Sequence, residues 1–372
     1  MVINPSPGSP GEFSLYFHIP FCTRKCDYCH FYVIPDKDPH KVLLMEGFAK
    51  EWARLKPLTQ GKGLKSLYFG GGTPSLLGPE KIQEILTWLE PPSGIEITLE
   101  ANPENMTEES MRGYAQAGIN RVSIGIQTLD NAMLKKLGRL HDGQKAQQAV
   151  LTTIAVGIEN ISVDLMYDLP GQDLLQWENT LDQVCRLPIT HFSLYNLTIE
   201  PHTVFFKQRQ LLEKILPNEE VSLQMYEMAV AKLSSAGLAQ YEISAFAKPG
   251  FHSRHNVGYW TGRPFLGLGP SAFSYWENRR YRNIANLNKY HQLENPVDFE
   301  EELPELSRMR ELLAIRLRLT KGIDLREWKL DEETRHVLEE LITQELLVKT
   351  ESNLRMTRKG ILFYDTIAAE II

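Results

Sequence analysis

Cys22-Thr-Arg-Lys-Cys26-Asp-Tyr-Cys29 places three of the chain's four cysteines within eight residues. In a reducing compartment such crowding argues for ligation of a metal or cluster and against a disulfide framework. Three thiolates at CxxxCxxC spacing can hold three corners of a cubane iron-sulfur cluster, which leaves one iron open to a further ligand. The rival is zinc. It needs a fourth ligand to close a tetrahedron, and His30 is the nearest candidate, but adjacent residues rarely converge on one ion and no second ligand pair follows. A third reading leaves the thiols without a ligand. Cys185, in LDQVCRLPI, stands apart and reads as a small buried hydrophobe.

Polar residues recur just after short apolar runs. Gly70-Gly71-Gly72-Thr73-Pro74 follows one such run and precedes a helical pattern, so its backbone can approach a ligand closely and offer N–H groups to a carboxylate or amino-acid moiety. A tight strand-to-helix turn explains the same glycines. Glu100 in TLEANPE, Gln127 in SIGIQTLD and Asp164 in SVDLMYDLPGQ end further runs, and Arg139 sits in LKKLGRLHD. Taken singly, each reads as a satisfied strand-end group or a surface ion pair.

The stretch SLYFHIPFCTRKCDYCHFY resembles the signature of radical S-adenosylmethionine (SAM) enzymes, in their coproporphyrinogen-oxidase-like branch. The resemblance implies that Cys22, Cys26 and Cys29 hold a [4Fe-4S] cluster whose open iron is chelated by SAM, which an electron cleaves to a 5'-deoxyadenosyl radical. It implies that Tyr16 and Tyr28 lie beside cluster and SAM, and that Gly71, Gly72 and Thr73 meet the SAM amino group. By the same resemblance Glu100, Arg139 and Asp164 contact the methionyl carboxylate or the ribose hydroxyls, with Gln127 nearby; a guanidinium forks onto a carboxylate, and a carboxylate accepts from two hydroxyls. One departure is Asp168 in YDLPG, where the family usually has glycine.

Two kinds of protein share this core. The oxygen-independent coproporphyrinogen III oxidases carry a fourth cysteine where this chain has Phe31, and a longer arm before the first cluster cysteine. The HemW type of haem chaperone is marked by HNxxYW, and the chain reads His255-Asn256-Val257-Gly258-Tyr259-Trp260. That resemblance implies haem bound near His255, Asn256, Tyr259 and Trp260 and handed to acceptors such as respiratory enzymes, with no catalytic residue assigned and an electron donor as a further partner. An imidazole can ligate haem iron, and Tyr and Trp faces can wall a porphyrin. His18, His191, His202 and His252 remain rival iron ligands, and core packing is the plain alternative for the two aromatics. An oxidase acting on porphyrinogen is the alternative function.

The elements that must position these residues alternate from residue 14 to about 247. Strand candidates SLYFHI, SLYFGG, IEITLEA, RVSIGI, ISVDLMY and HFSLYNL are separated by amphipathic segments, as in βα units on a parallel sheet. About six such units predict an α/β fold, a partial (β/α)6 TIM-type barrel, although a doubly wound sheet fits the same alternation. In both, chemistry belongs at the C-terminal ends of the strands. Residues 1–13 read as an N-terminal tail, 14–247 as the barrel, 248–302 as an irregular segment with HNxxYW, and 303–372 as a small helical, winged-helix-like domain.

With 372 residues, 42% apolar and 23% charged, the chain has the composition of a globular protein and length for a large α/β unit plus an appendage. A net charge of -7 provides no basic stripe for phosphates, so nucleic acid is not an expected partner. No apolar run reaches the roughly 18 to 20 residues of a membrane span and no signal peptide opens the sequence, so a cytoplasmic location is expected.

Overall fold

Alternation along the early strands decides which face each side chain takes. In the computed structural model, which describes residues 11–372, β1 spans Glu12–Ile19. Its Leu15, Phe17 and Ile19 are buried on one face, and Ser14, Tyr16 and His18 take the other. The expected tail lies outside the described residues up to residue 10, and β1 already begins at Glu12.

Five more strands repeat the pattern: β2 (Gly63–Gly71), β3 (Glu96–Ala101), β4 (Arg121–Gln127), β5 (Asn160–Tyr167) and β6 (His191–Asn196). All six pair in parallel and in chain order. A doubly wound sheet reverses strand order at a switch point, whereas an uninterrupted order keeps every right-handed crossover on one face and curls the sheet into a partial barrel. Helices α1 (Asp38–Leu55), α2 (Pro79–Leu89), α3 (Glu108–Ala117), α4 (Gly143–Ala155) and α5 (Leu174–Val184) join these strands. Their starts are fixed locally: the Thr107 and Asp173 side chains form capping boxes with Ser110 and Gln176, and Asp142 accepts from the Lys145 N–H. Their apolar faces share one core with the outer strand residues.

The inner face is polar. Ser14, Ser66, Thr98, Arg121, Ser123, Ser162 and His191 are all buried there, so the barrel interior is a hydrogen-bonding lumen and not a hydrophobic plug.

The sheet continues past both edges. After α6 (Glu219–Ser235), β7 (Ala239–Glu242) and β8 (Ala245–Ala247) extend it antiparallel beyond β6. The segment read as irregular, 248–302, is instead ordered: α7 (Arg254–Trp260) is followed by β9 (Phe265–Leu268), which lies parallel on the free side of β1. Strands β10 (Phe273–Trp276), β11 (Arg279–Asn283) and β12 (Val297–Glu302) then add on antiparallel, giving twelve strands in the order β12-β11-β10-β9-β1-β2-β3-β4-β5-β6-β8-β7. Elements this short and rich in turn residues carry too little periodicity to be seen in sequence. Buried Glu51 of α1 ties this extension to the barrel by accepting from Gly269 N–H at 2.9 Å, Asn283 Nδ2 at 2.8 Å and Tyr290 O–H at 2.6 Å.

The C-terminal unit consists of α8 (Glu305–Leu317), β13 (Ile323–Asp324), α9 (Glu332–Thr343), β14 (Leu347–Thr350), β15 (Asn353–Met356) and α10 (Tyr364–Ile371). Its three strands pair in the order β13-β15-β14, and it has its own core around Leu313, Leu317, Leu341 and Leu354. Among the described residues no helix is long and apolar enough to cross a membrane.

Candidate cluster and nucleotide site

The three thiols sit on one cavity of about 400 Å³ at the C-terminal ends of the barrel strands. Their loop leaves β1 through a short parallel pairing of Phe21–Cys22 with Ile34–Pro35, and the Asp27 N–H is held by the Leu137 carbonyl at 3.2 Å. Cys22 Sγ lies 3.6 Å from Thr73 Oγ1, and Arg139 Nη1 donates to Cys26 Sγ at 3.5 Å. Burial pushes the Cys22 thiol up to about 11 and raises that of Cys29 as well, so thiolates here call for a compensating cation. Among the described residues no three His, Cys, Asp or Glu side chains converge to hold a single metal ion. The donors are arranged around a cavity and not about a point.

Gly71, Gly72 and Thr73 line the same cavity, but their amides are not free as the sequence reading expected. Gly71 N–H donates to Glu100 Oε2 at 3.0 Å, Gly72 N–H to the Ile19 carbonyl at 2.9 Å and Thr73 N–H to the Phe21 carbonyl at 2.7 Å. The glycines are needed for close crossing of chain on chain: a Cβ at Gly72 would stand 2.6 Å from the Phe21 carbonyl oxygen, and Gly71 has φ +117°. What this turn brings to the cavity is the Thr73 hydroxyl, which accepts from Asn102 Nδ2 at 3.0 Å.

Glu100, Gln127, Arg139 and Asp164 all reach this cavity. Tyr68 O–H donates to Glu100 at 2.8 Å, yet burial dominates and lifts the carboxyl up to about 7, with nearby Asp164 adding to the rise. Asp164 accepts from the Ser123 hydroxyl at 3.2 Å, and burial raises its pKa too. Arg139 donates to Asn102 Oδ1 at 2.8 Å, while its buried Nε has no partner. Gln127 closes β4 with φ +68°, the left-handed strain that clusters at binding sites. Asp168 also has a positive φ, +61°, which accounts for glycine being usual there. Its carboxylate holds the loop by accepting from Asn196 Nδ2 at 2.7 Å and from the Ser222 hydroxyl.

The two tyrosines separate. Tyr28 lines the thiol cavity and packs near Phe205, its phenol beside Cys26. Tyr16 does not line it. Three residues before the end of β1, Tyr16 points into the lumen one layer lower, stacked on Tyr68 at 6.1 Å with its hydroxyl 3.1 Å from His18 Nδ1.

HNxxYW forms α7, capped by Ser253, whose side chain accepts from Asn256 N–H. The helix packs into the lumen, and the N–H groups of Arg254 and His255 each donate to the Glu96 carboxylate at 2.9 Å. His255 is 1% exposed, with Nδ1 at 3.0 Å from Ser66 Oγ and Nε2 at 2.8 Å from Tyr259 O–H. Burial pulls its pKa down to about 3. Both ring nitrogens are occupied by protein, so neither is offered to an iron, in contrast to the sequence expectation. Asn256 borders neither of the two main cavities, whereas Tyr259 and Trp260 line the second. Of the other histidines, His18 is bonded to Tyr16 and the Tyr32 carbonyl, His191 to Ser162 and Tyr241, His252 stacks on Tyr241 at 4.1 Å, and His202 lies on an exposed turn.

Sequence reasoning missed the support around these groups. Asn102 bridges Thr73 and Arg139, and buried Arg121 lies below Glu100 and Asp164, favouring their charged forms. The available signal was polar residues at every second position of strands otherwise apolar, which marks a polar lumen.

A parallel half-barrel with three thiols at its mouth and polar strand ends beneath them defines a class. The Radical SAM superfamily model matches residues 16–184, and the HemN C-terminal domain model matches residues 303–363. The heme chaperone HemW of Lactococcus lactis is 32% identical over 93% of this chain and 94% of its own length, and that of Bacillus subtilis is 33% identical over 93% and 96%. The solved structure of HemN, the coproporphyrinogen III oxidase of Escherichia coli, covers 99% of this chain and 91% of its own with a TM-score of 0.85 at 23% identity, a likeness of fold. The chain belongs to the HemW family of the radical SAM superfamily. Membership of that superfamily implies SAM and a [4Fe-4S] cluster.

Proposed function

We propose that this protein is a haem chaperone that carries a [4Fe-4S] cluster on Cys22, Cys26 and Cys29 and SAM beside it, binds haem, and delivers it in the cytoplasm to acceptors such as respiratory enzymes. The observation that carries the cluster and SAM is the meeting of three thiols with Glu100, Gln127, Arg139 and Asp164 on one cavity. The residues fit. Three donors spread around a cavity suit a cubane with one open corner, and a buried, unpartnered Arg139 Nε suits a carboxylate.

When bound, the cluster supplies electron transfer to the SAM sulfonium. The protein's own part is positioning. Arg139 links the thiol loop to the strand ends by donating to Cys26, to Asn102 and to the Gly125 carbonyl. Glu100 and Asp164 are acceptors on the cavity wall, placed for hydroxyl or amino donors. The names of the relatives support haem as the cargo, and an external donor is required for the electron.

The test is anaerobic reconstitution followed by iron and sulfide analysis, haemin titration and, in parallel, incubation with SAM, reductant and coproporphyrinogen III. A haemin complex without turnover is the expected result. Formation of protoporphyrinogen would establish the oxidase alternative, and absence of iron and sulfide would overturn the cluster.

A further inference from the structure

The second cavity, about 620 Å³, lies between α7, the β9–β11 extension and α8 of the C-terminal unit. Its size falls within the roughly 300–1,000 Å³ of pockets that hold organic ligands. Flat aromatic faces dominate its walls, among them Trp260, Phe265, Phe273 and Tyr275, the surfaces on which a macrocycle packs. Three guanidinium groups, Arg263, Arg280 and Arg308, share the lining with one carboxylate, Glu311, an excess of two positive charges. Arg280 is engaged by Glu301 at 2.6 Å and Glu311 at 3.1 Å. Arg308 forms no ion pair among the described residues, and Arg263 keeps a buried Nε without a partner.

One imidazole at this cavity has no hydrogen bond among the described residues: His30, whose ring rests 4.7 Å from that of Phe31. His18, the other histidine on the lining, has both nitrogens bonded. His30 and Phe31 line the cluster cavity as well, so these two residues form a partition between the chambers.

From an apolar aromatic slot, two surplus cations and a free imidazole at its edge, we infer that this cavity is where haem binds. The macrocycle lies among the aromatic walls, its two propionates meet Arg308 and Arg263, and a ring nitrogen of His30 ligates the iron. The inference rests on the haem-binding reading above and moves the iron ligand from His255 to His30.

Haemin is titrated into the reconstituted full-length protein, with affinity read from quenching of tryptophan fluorescence and ligation from the electron paramagnetic resonance of ferric haem. The parent is expected to bind one haem with a histidine-ligated spectrum. His30→Ala is expected to lose that spectrum, and Arg308→Glu to keep it while binding about tenfold or more weakly, the loss of one charge-assisted contact. Iron and sulfide measured before haemin is added report on the cluster, and should His30→Ala disturb it, Arg308→Glu alone decides. Unchanged affinity in Arg308→Glu overturns the location while leaving haem binding intact. A histidine-ligated spectrum in His30→Ala overturns the ligand, and a parent that binds no haem overturns the functional reading itself.

Discussion

Glu100 carries its charge under protest. Its ordinary pKa of 4.5 is lifted by burial up to about 7, so the folded protein holds a proton there that the unfolded chain has released. Protons bound in excess by the native state make stability fall as pH rises, here between about pH 4.5 and 7. A shift of this size corresponds to about 3 kcal/mol at full strength. In Glu100→Gln that dependence disappears, while one oxygen still accepts from Gly71 or Tyr68. Urea unfolding of parent and variant at pH 5 and pH 8 checks this: the variant gains on the parent by about 2–3 kcal/mol at the higher pH, and a constant difference refutes it. A hydrogen-bond donor that enters the cavity is expected to relieve the same carboxylate, which links its strain to binding.

At the scale of elements, α7 is a plug whose histidine is structural. His255 joins Ser66 to Tyr259 across the lumen, and its helix begins on the Glu96 carboxylate. His255→Ala leaves the Tyr259 hydroxyl without its partner, Ser66 with Ser14 alone, and a cavity, so a loss of about 2–4 kcal/mol in equilibrium unfolding is expected, with cluster iron unchanged. The HNxxYW motif was visible in the sequence, but nothing in its spacing said that His255 would face Ser66, which is 189 residues away. The six parallel strands and the thiol loop were legible because β-branched runs and a cysteine spacing are local signals. Tyr16 was placed beside cluster and SAM by the family resemblance, and the structure seats it against Tyr68 and His18, one layer below the strand ends. Strands β9 to β12 escaped because pairing between β9 and β1 is non-local and the strands are short.

In the whole molecule, Arg318 is one of the ties between barrel and C-terminal unit. It pairs with buried Glu242 at 3.2 Å, lies 4.2 Å over the Trp260 ring and 5.0 Å from that of Tyr364. Removing it strands a buried carboxylate, so Arg318→Ala is expected to destabilise by about 3 kcal/mol. The separate cores predict how: hydrogen exchange in α9 and β14 should quicken ahead of that in β2 to β5, and uniform exchange across both would refute an interdomain role. Since α8 walls the second cavity, the same variant is expected to bind haemin more weakly.

The bonds from Gly72 to the last carbonyl of β1 and from Thr73 to the Phe21 carbonyl just beyond it make the glycine turn and the thiol loop a single mechanical part. A methyl group inserted by Gly72→Ala, 2.6 Å from the Phe21 carbonyl oxygen, prises the two apart immediately beside Cys22. Damage inflicted on the glycine turn is therefore expected to surface as bleached, iron-poor protein, with total iron after reconstitution as the gauge.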